Sequence, residues 1–203
     1  ARLEETAART NLQVVARQFD EVRLRIARLN AERSGAAEPR WPNAIAADID
    51  PLERDRLLQS ERDFFTARAT TRRSEQNLAQ SRIDQLEKQI AGLEAQLQSN
   101  RQQMGINADE LKSVESLLQD KRVTVQRATT LQRDAIRMEG LDGQIGSQIA
   151  EISNKVHETK LQALQSEQTF RSEVIRELSE AEAKAGESTY TELGVDTGVA
   201  GML

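Results

Sequence analysis

The chain has no cysteine, only three prolines, and aromatic side chains at just 3% of its 203 positions. A compact globular domain of this size normally uses aromatic residues to fill its core and turn residues to reverse direction often. Without cysteine there are no disulfides, and an oxidising compartment is only weakly indicated. No apolar run of about 20 residues occurs, so no membrane-spanning helix is predicted. The helical pattern is already under way at Leu3, and we therefore expect a piece of a longer protein.

The chain also lacks a large excess of charge of one sign. The chain carries 28 basic and 33 acidic residues, a net charge of −5, and the two signs alternate along its length. No basic block favours nucleic acid or an anionic membrane surface as a partner. The abundant Ala, Glu, Gln, Arg and Leu are strong helix formers, and the composition is typical of a coiled coil.

A seven-residue apolar repeat is the main positive signal. Spacings of three and four place a stripe on one side of an α-helix, and a strict period of seven makes helices wind around a partner. One series is Ile83, Ile90, Leu97, Met104, Leu111 and Leu118, and its companion is Leu58, Phe65, Ala79, Leu86, Leu93 and Val114. After a break near Lys121 the pattern resumes at Leu131, Met138, Ile145, Ile152, Ala135, Ile149, Val156, Ala163 and Phe170.

These patterns predict an all-α fold: a long antiparallel coiled-coil hairpin with a shorter third helix packed at its base. We expect a first helix over 1–34, a linker over 35–50, the hairpin over 51–186 with its tip near 119–124, and an irregular tail over 187–203. Asp50 is the expected N-cap before Pro51. Trp41 lies in the linker, which is either a plain connection or, as we favour, a strap packing the ring against the coil.

Several positions weaken the coil. Asn100 and Arg72 fall in apolar series, where buried polar residues fix the register at some cost in stability. Gly140, Gly143 and Gly146 either soften the second hairpin helix or let a neighbouring element approach closely; the sequence leaves both alternatives open.

Residues for catalysis are not found. The single histidine, His157, has no second histidine or cysteine to complete a metal site and is expected to be exposed. Carboxylate pairs such as Asp109 and Glu110 arise by chance in helices this charged, and no phosphate-binding glycine loop is present. We therefore predict no enzymatic activity, no cofactor and no metal.

The break between the hairpin helices is either a simple turn or a surface that meets another coil end to end. A family resemblance is carried by the residues near this break and by several segments before it. The segments before the break are 26–35, Trp41-Pro42, 64–68, 83–86 and 89–96, and those near the tip are 110–111, 117–118, 123, 127 and 131–133. In order and spacing these segments resemble the periplasmic adaptors, or membrane fusion proteins, of bacterial type I secretion systems, the hemolysin-D-like family.

The resemblance implies a structural adaptor that bridges an inner-membrane ABC transporter to a TolC-like outer-membrane channel. It implies a homo-oligomeric ring of six hairpins packed side by side, located in the periplasm and anchored to the inner membrane in the full-length protein. The tip residues expected to bind the channel are Leu117, Leu118, Asp120, Lys121, Arg122, Val123, Thr124 and Arg127.

Two alternatives remain at this point. One is the adaptor of a multidrug efflux pump, although Ser113 stands where that branch carries arginine. The other is a coiled-coil scaffold unrelated to export.

Overall fold

The computed structural model describes the backbone of residues 2–42, 51–120 and 123–200, and the side chains of residues 13–42, 51–120 and 123–187. Within these ranges the chain forms three helices: α1, Arg2–Ser34; α2, Pro51–Gln119; and α3, Val125–Ala200. Helices α2 and α3 form a long hairpin, and the shorter α1 packs against it. The predicted all-α fold class is confirmed.

Helix α1 ends in a glycine-dependent turn. Gly35 has φ of 67°, a left-handed conformation that glycine adopts without a steric penalty. The amide of Ala36 donates to the carbonyl of Ala31 at 3.0 Å, which satisfies one of the carbonyls left open at the helix end. After the linker, α2 begins at Pro51, a favoured first position in a helix. The predicted N-cap, Asp50, lies outside the described residues.

The linker residue Trp41 is half-buried, and the guanidinium carbon of Arg62 lies 6.0 Å from the centre of its ring. This contact between the linker and α2 supports the strap interpretation over a plain connection.

The prediction of an irregular tail is wrong over residues 187–200, where α3 continues as far as Ala200. The sequence there has glycines but no proline. A glycine costs a helix about 1 kcal/mol relative to alanine without removing a backbone donor, so a helix that is already formed can continue through it.

The chain divides into two compact units. Unit 1 comprises Ala1–Glu75 and Gln165–Leu203, and thus α1 with the first part of α2 and the last part of α3. Its apolar core is made by α1 and α3 and contains Val22, Leu29, Val174, Leu178 and Ala181, with Ile26, Phe170 and Ala185 packed against it.

Ion pairs also join the three helices of unit 1. Arg28 of α1 contacts Glu61 of α2 at 2.6 Å. Arg68 of α2 contacts Glu177 of α3 at 3.0 Å, and its guanidinium lies 5.4 Å from the centre of the Phe170 ring. Arg72, the expected polar interruption of the apolar series, forms a two-bond pair with Glu167 of α3.

Unit 2 comprises Gln76–Leu164, the part of the hairpin that contains the reversal. Its buried residues repeat along both helices as the heptads predict. Asn100 is buried as expected, and its amide nitrogen donates to the Met138 carbonyl of α3 at 2.9 Å. The buried residues of unit 2 are Ile83, Asn100, Asn107, Val114, Ala128, Leu131, Ile145, Val156 and Thr159.

Gly140, Gly143 and Gly146 of α3 are not sites of close approach within this chain. A Cβ placed on Gly140, Gly143 or Gly146 would meet nothing within 4 Å in the described structure. The close-approach alternative is therefore wrong for this chain on its own, and local weakening of α3 stays a prediction.

Candidate functional site at the helix reversal

The connection between α2 and α3 is short. Helix α2 ends at Gln119 and α3 begins at Val125, and the amide of Arg127 donates to the carbonyl of Thr124 at 3.1 Å as α3 starts. A connection of this length makes the two helices antiparallel neighbours. The reversal therefore lies where the sequence placed the tip.

An apolar cluster joins the two helices next to this connection. Val114 of α2 is buried against Ala128 and Leu131 of α3. Around these three residues pack the half-buried side chains of Leu111, Leu118 and Val123. Burying a side chain of this size stabilises the fold by about 1.5–3 kcal/mol, so the cluster holds the end of α2 against the start of α3.

The three apolar residues predicted to bind a partner differ in how much of their surface the cluster covers. Leu118 and Val123 pack into it and have only part of their surface available. Leu117 is 38% exposed and lies on the outside of the reversal. Val125 is 67% exposed, was not predicted as a site residue, and presents a second apolar side chain at the start of α3.

The polar residues predicted to bind also differ in their surroundings. Asp120 and Thr124 are exposed, whereas Lys121 and Arg122 lie outside the described residues. Arg127 forms an ion pair with Glu110 across the two helices. Its guanidinium thus links α3 to α2, and its partner Glu110 was not among the predicted binding residues. Matching heptad positions on facing helices are the signal that pairs such charges.

A metal site at the reversal would need a group of side chains that could hold the ion. In the described part of the chain no three histidine or acidic side chains are grouped so as to hold a metal ion. His157 is exposed, as the sequence predicted, and lies on α3 outside the reversal. What the arrangement offers chemically is two exposed apolar side chains, Leu117 and Val125, among polar ones, which suits contact with another protein.

Residues 8–189 match the family model described as "AprE, long alpha-helical hairpin". The chain belongs to this family. As a member of the AprE hairpin family it is 33% identical, over 186 residues, to the "Type I secretion system membrane fusion protein PrsE" of Rhizobium meliloti (strain 1021). That alignment covers 92% of the chain but 42% of PrsE, so the chain spans less than half the length of this relative.

A solved structure shows the same fold in a protein of low sequence identity. The soluble domain of LipC, described as a membrane fusion protein of a type I secretion system, superposes with a TM-score of 0.91 at 18% identity. The match covers 96% of this chain and 73% of the LipC chain. The resemblance to type I secretion membrane fusion proteins is confirmed by the family match. Type I secretion membrane fusion proteins are a non-enzymatic adaptor family, which agrees with the prediction of no enzymatic activity.

None of the helices within the described ranges is long and apolar enough to cross a membrane.

Proposed function

We propose that this hairpin is the bridging part of a type I secretion adaptor, joining an inner-membrane ABC transporter to a TolC-like outer-membrane channel. The family match and the names of PrsE and LipC support the secretion role. In this proposal the protein works in the periplasm, is anchored to the inner membrane in its full-length form, and assembles as a ring of six copies.

The observation that carries the proposal is the packing at the reversal. The cluster around Val114 fixes the two helix ends, while Leu117 and Val125 remain on the outside. A preformed end loses little conformational entropy on binding, and two apolar side chains can enter grooves between the helices of a channel. Asp120 and Thr124 then supply hydrogen bonds at the rim.

A single reversal offers little contact area, and one copy would bind weakly. In a ring, several reversals engage the channel together, and linked sites raise the overall affinity without new contacts. This is the physical reason for proposing a homo-oligomer.

Of the two alternatives, a scaffold unrelated to export disagrees with membership of the AprE hairpin family. The efflux-pump adaptor is less favoured, because both relatives are described as components of type I secretion systems. The class of exported cargo distinguishes secretion from efflux.

The test is Leu117→Asp in the full-length protein, with secretion of the exporter's substrate as the readout. A charge at a central apolar contact costs binding free energy, and we expect secretion to fall by about tenfold or more. Leu118→Asp is a poor test, because Leu118 packs in the cluster and its replacement would loosen the reversal itself. Ile175→Asp is the matched control, since Ile175 is an equally apolar, 57% exposed residue of unit 1.

The role of Arg127 is tested by a charge exchange, because a single substitution both breaks its ion pair with Glu110 and changes the surface. Arg127→Glu breaks the pair with Glu110, whereas Arg127→Glu combined with Glu110→Arg restores it in the opposite sense. Recovery of secretion in the double variant assigns Arg127 to positioning, and continued loss assigns it to docking.

Normal secretion by Leu117→Asp, with circular dichroism unchanged, would overturn the proposed docking end.

A further inference from the structure

The two methionines of the hairpin lie at one level of unit 2. Met104 belongs to the apolar series of α2 and Met138 to that of α3, and both side chains are half-buried. The ion pair that joins the two helices between Arg101 and Asp142, at 3.0 Å, lies three positions from Met104 and four from Met138. The chain has no cysteine, so thioethers are the only sulfur groups in the hairpin.

The buried side chain of Asn100 contacts both methionines. Its amide nitrogen donates to the backbone carbonyl of Met138 at 2.9 Å and lies 3.7 Å from the sulfur of Met104. An amide nitrogen carries two N–H donors, so one is bound to a strong acceptor and the other to a thioether, which is a weak acceptor. Because Asn100 is only 4% exposed, bulk water does not satisfy the second N–H.

The orientation of this amide is determined by the Met138 carbonyl. If the amide were turned over, its oxygen would face that carbonyl, and two acceptors would be in contact. In the observed orientation the Asn100 oxygen finds no hydrogen-bond partner among the described residues. The second N–H is therefore held toward Met104, although the sulfur is a poor partner for it.

Both sulfurs are within reach of a small oxidant. The two side chains are half-buried rather than enclosed. A Cβ placed on Gly105, next to Met104, or on Gly140, two positions from Met138, would meet nothing within 4 Å in the described structure. The helix surface beside each methionine is therefore open.

Oxidation changes a thioether into a strong acceptor. With hydrogen peroxide, the sulfur lone pair attacks one peroxide oxygen, the O–O bond breaks, and the departing hydroxide takes the proton from the transferred oxygen to give water. The sulfur loses two electrons and the peroxide gains two. The product, methionine sulfoxide, is polar and commonly disrupts an apolar core.

We propose that Met104 is an oxidation site whose sulfoxide is bound by the amide of Asn100. The sulfoxide oxygen accepts the second N–H in a hydrogen bond of about 2.9 Å, in place of the 3.7 Å contact with sulfur. The unbranched methionine side chain has three rotatable bonds, so it can turn the new oxygen toward the amide. Oxidation at Met104 therefore leaves the contact between α2 and α3 intact.

Met138 is the contrasting case. It contacts Asn100 through its backbone carbonyl, and no side chain in the described part of the chain donates a hydrogen bond to its sulfur. An oxygen on that sulfur enters the helix contact without a partner, and an unpaired polar atom in such a place is destabilising. We expect the same oxidation to loosen the hairpin at Met138 and to be tolerated at Met104.

Amide hydrogen exchange of the purified full-length protein tests the proposal, with hydrogen peroxide as the oxidant and peptide mass spectrometry to locate each sulfoxide. Met138→Leu leaves only Met104 to be oxidised at this level, and Met104→Leu leaves only Met138. Leucine has nearly the volume of methionine, so both variants should fold. In residues 100–107 and 138–146, we expect oxidation to change exchange less than twofold in Met138→Leu and to speed it at least tenfold in Met104→Leu.

The decisive comparison adds Asn100→Leu to Met138→Leu, which removes the amide and keeps a side chain of similar size. Oxidation of Met104 should then speed exchange at least tenfold in the same segments. Each variant is compared with its own unoxidised form, so the effect of the substitutions on the starting stability cancels. Secretion is not a readout, and the result is therefore independent of the proposed function.

Three results would overturn the proposal. One is an equal effect of Met104 oxidation with and without Asn100. Another is equal tolerance of oxidation at Met104 and Met138, because the amide would then not be the cause. The third is a wild-type protein in which peroxide converts Met138 fully and leaves Met104 unoxidised.

Discussion

At the scale of single residues, Arg28 is a buried charge that lies between two carboxylates. It is 4% exposed and contacts Glu32 at 2.7 Å and Glu61 at 2.6 Å. Burial by itself would lower the pKa of Arg28, but the hydrogen bonds and charges of Glu61 and Glu32 outweigh it, and the pKa is raised. Arg28 is therefore held in its charged form by its two carboxylate partners.

Arg28→Ala should destabilise unit 1 by about 3 kcal/mol, because it removes the cation that pairs with both Glu32 and Glu61 and leaves the buried Glu32 with only the longer, 3.4 Å pair to Arg68. The free energy of unfolding is measured by urea titration, following the fluorescence of Trp41, the only tryptophan and a residue of unit 1.

Arg17→Ala is the control for that measurement. Arg17 also pairs with two carboxylates, Glu21 at 3.3 Å and Glu53 at 2.9 Å, but its side chain is half exposed. Exposed pairs contribute at most about 1 kcal/mol. Equal losses in the two variants would show that burial does not decide the strength of the Arg28 contacts.

At the scale of the helix, glycine has opposite effects in two places. Gly143 lies inside α3 with open space around it, and Gly35 ends α1 with a positive φ. Inside a helix glycine costs backbone entropy on folding, whereas at a left-handed turn it avoids a steric penalty.

Replacing glycine by alanine should therefore change the free energy of unfolding in opposite directions at these two positions. Gly143→Ala should raise the free energy of unfolding by about 0.5–1 kcal/mol, and Gly35→Ala should lower it by about 1 kcal/mol. Thermal and urea unfolding followed by circular dichroism measure both. A destabilised Gly143→Ala would mean that a neighbour absent from this single chain approaches α3 there.

The heptads predicted most of the fold at this scale, because a seven-residue repeat determines which face of a helix is buried. They also carried information that the site prediction did not use: Leu118 closes the series that begins at Ile83, so it had to face inward, and Leu117 outward. Periodicity did not predict the end of α3, because no apolar partner stripe is needed for a formed helix to extend. The outward Val125 has no pattern of its own and became visible only with the backbone.

At the scale of the whole chain, stabilising contacts are unevenly distributed between the two units. Unit 1 has fully buried Leu24, Leu29 and Val174. In unit 2, Asn100 and Asn107 are buried with amide oxygens that find no hydrogen-bond partner among the described residues. An unpaired buried polar atom costs about 1–3 kcal/mol, and the α3 glycines of unit 2 add to this cost.

Unit 2 should therefore open locally more often than unit 1, and amide hydrogen exchange followed by mass spectrometry measures this directly. We expect peptides from residues 100–107 and 138–146 to exchange at least tenfold faster than peptides from residues 22–32 and 170–181, since each 1.4 kcal/mol is a factor of about ten. Asn100→Leu combined with Gly143→Ala removes one unpaired oxygen and one helix-weakening residue. It should slow exchange in the first two segments and leave the other two unchanged. Equal slowing in all four segments would mean that the hairpin opens as a single cooperative body. The buried asparagines and the glycines would then serve only to fix the register of the helices.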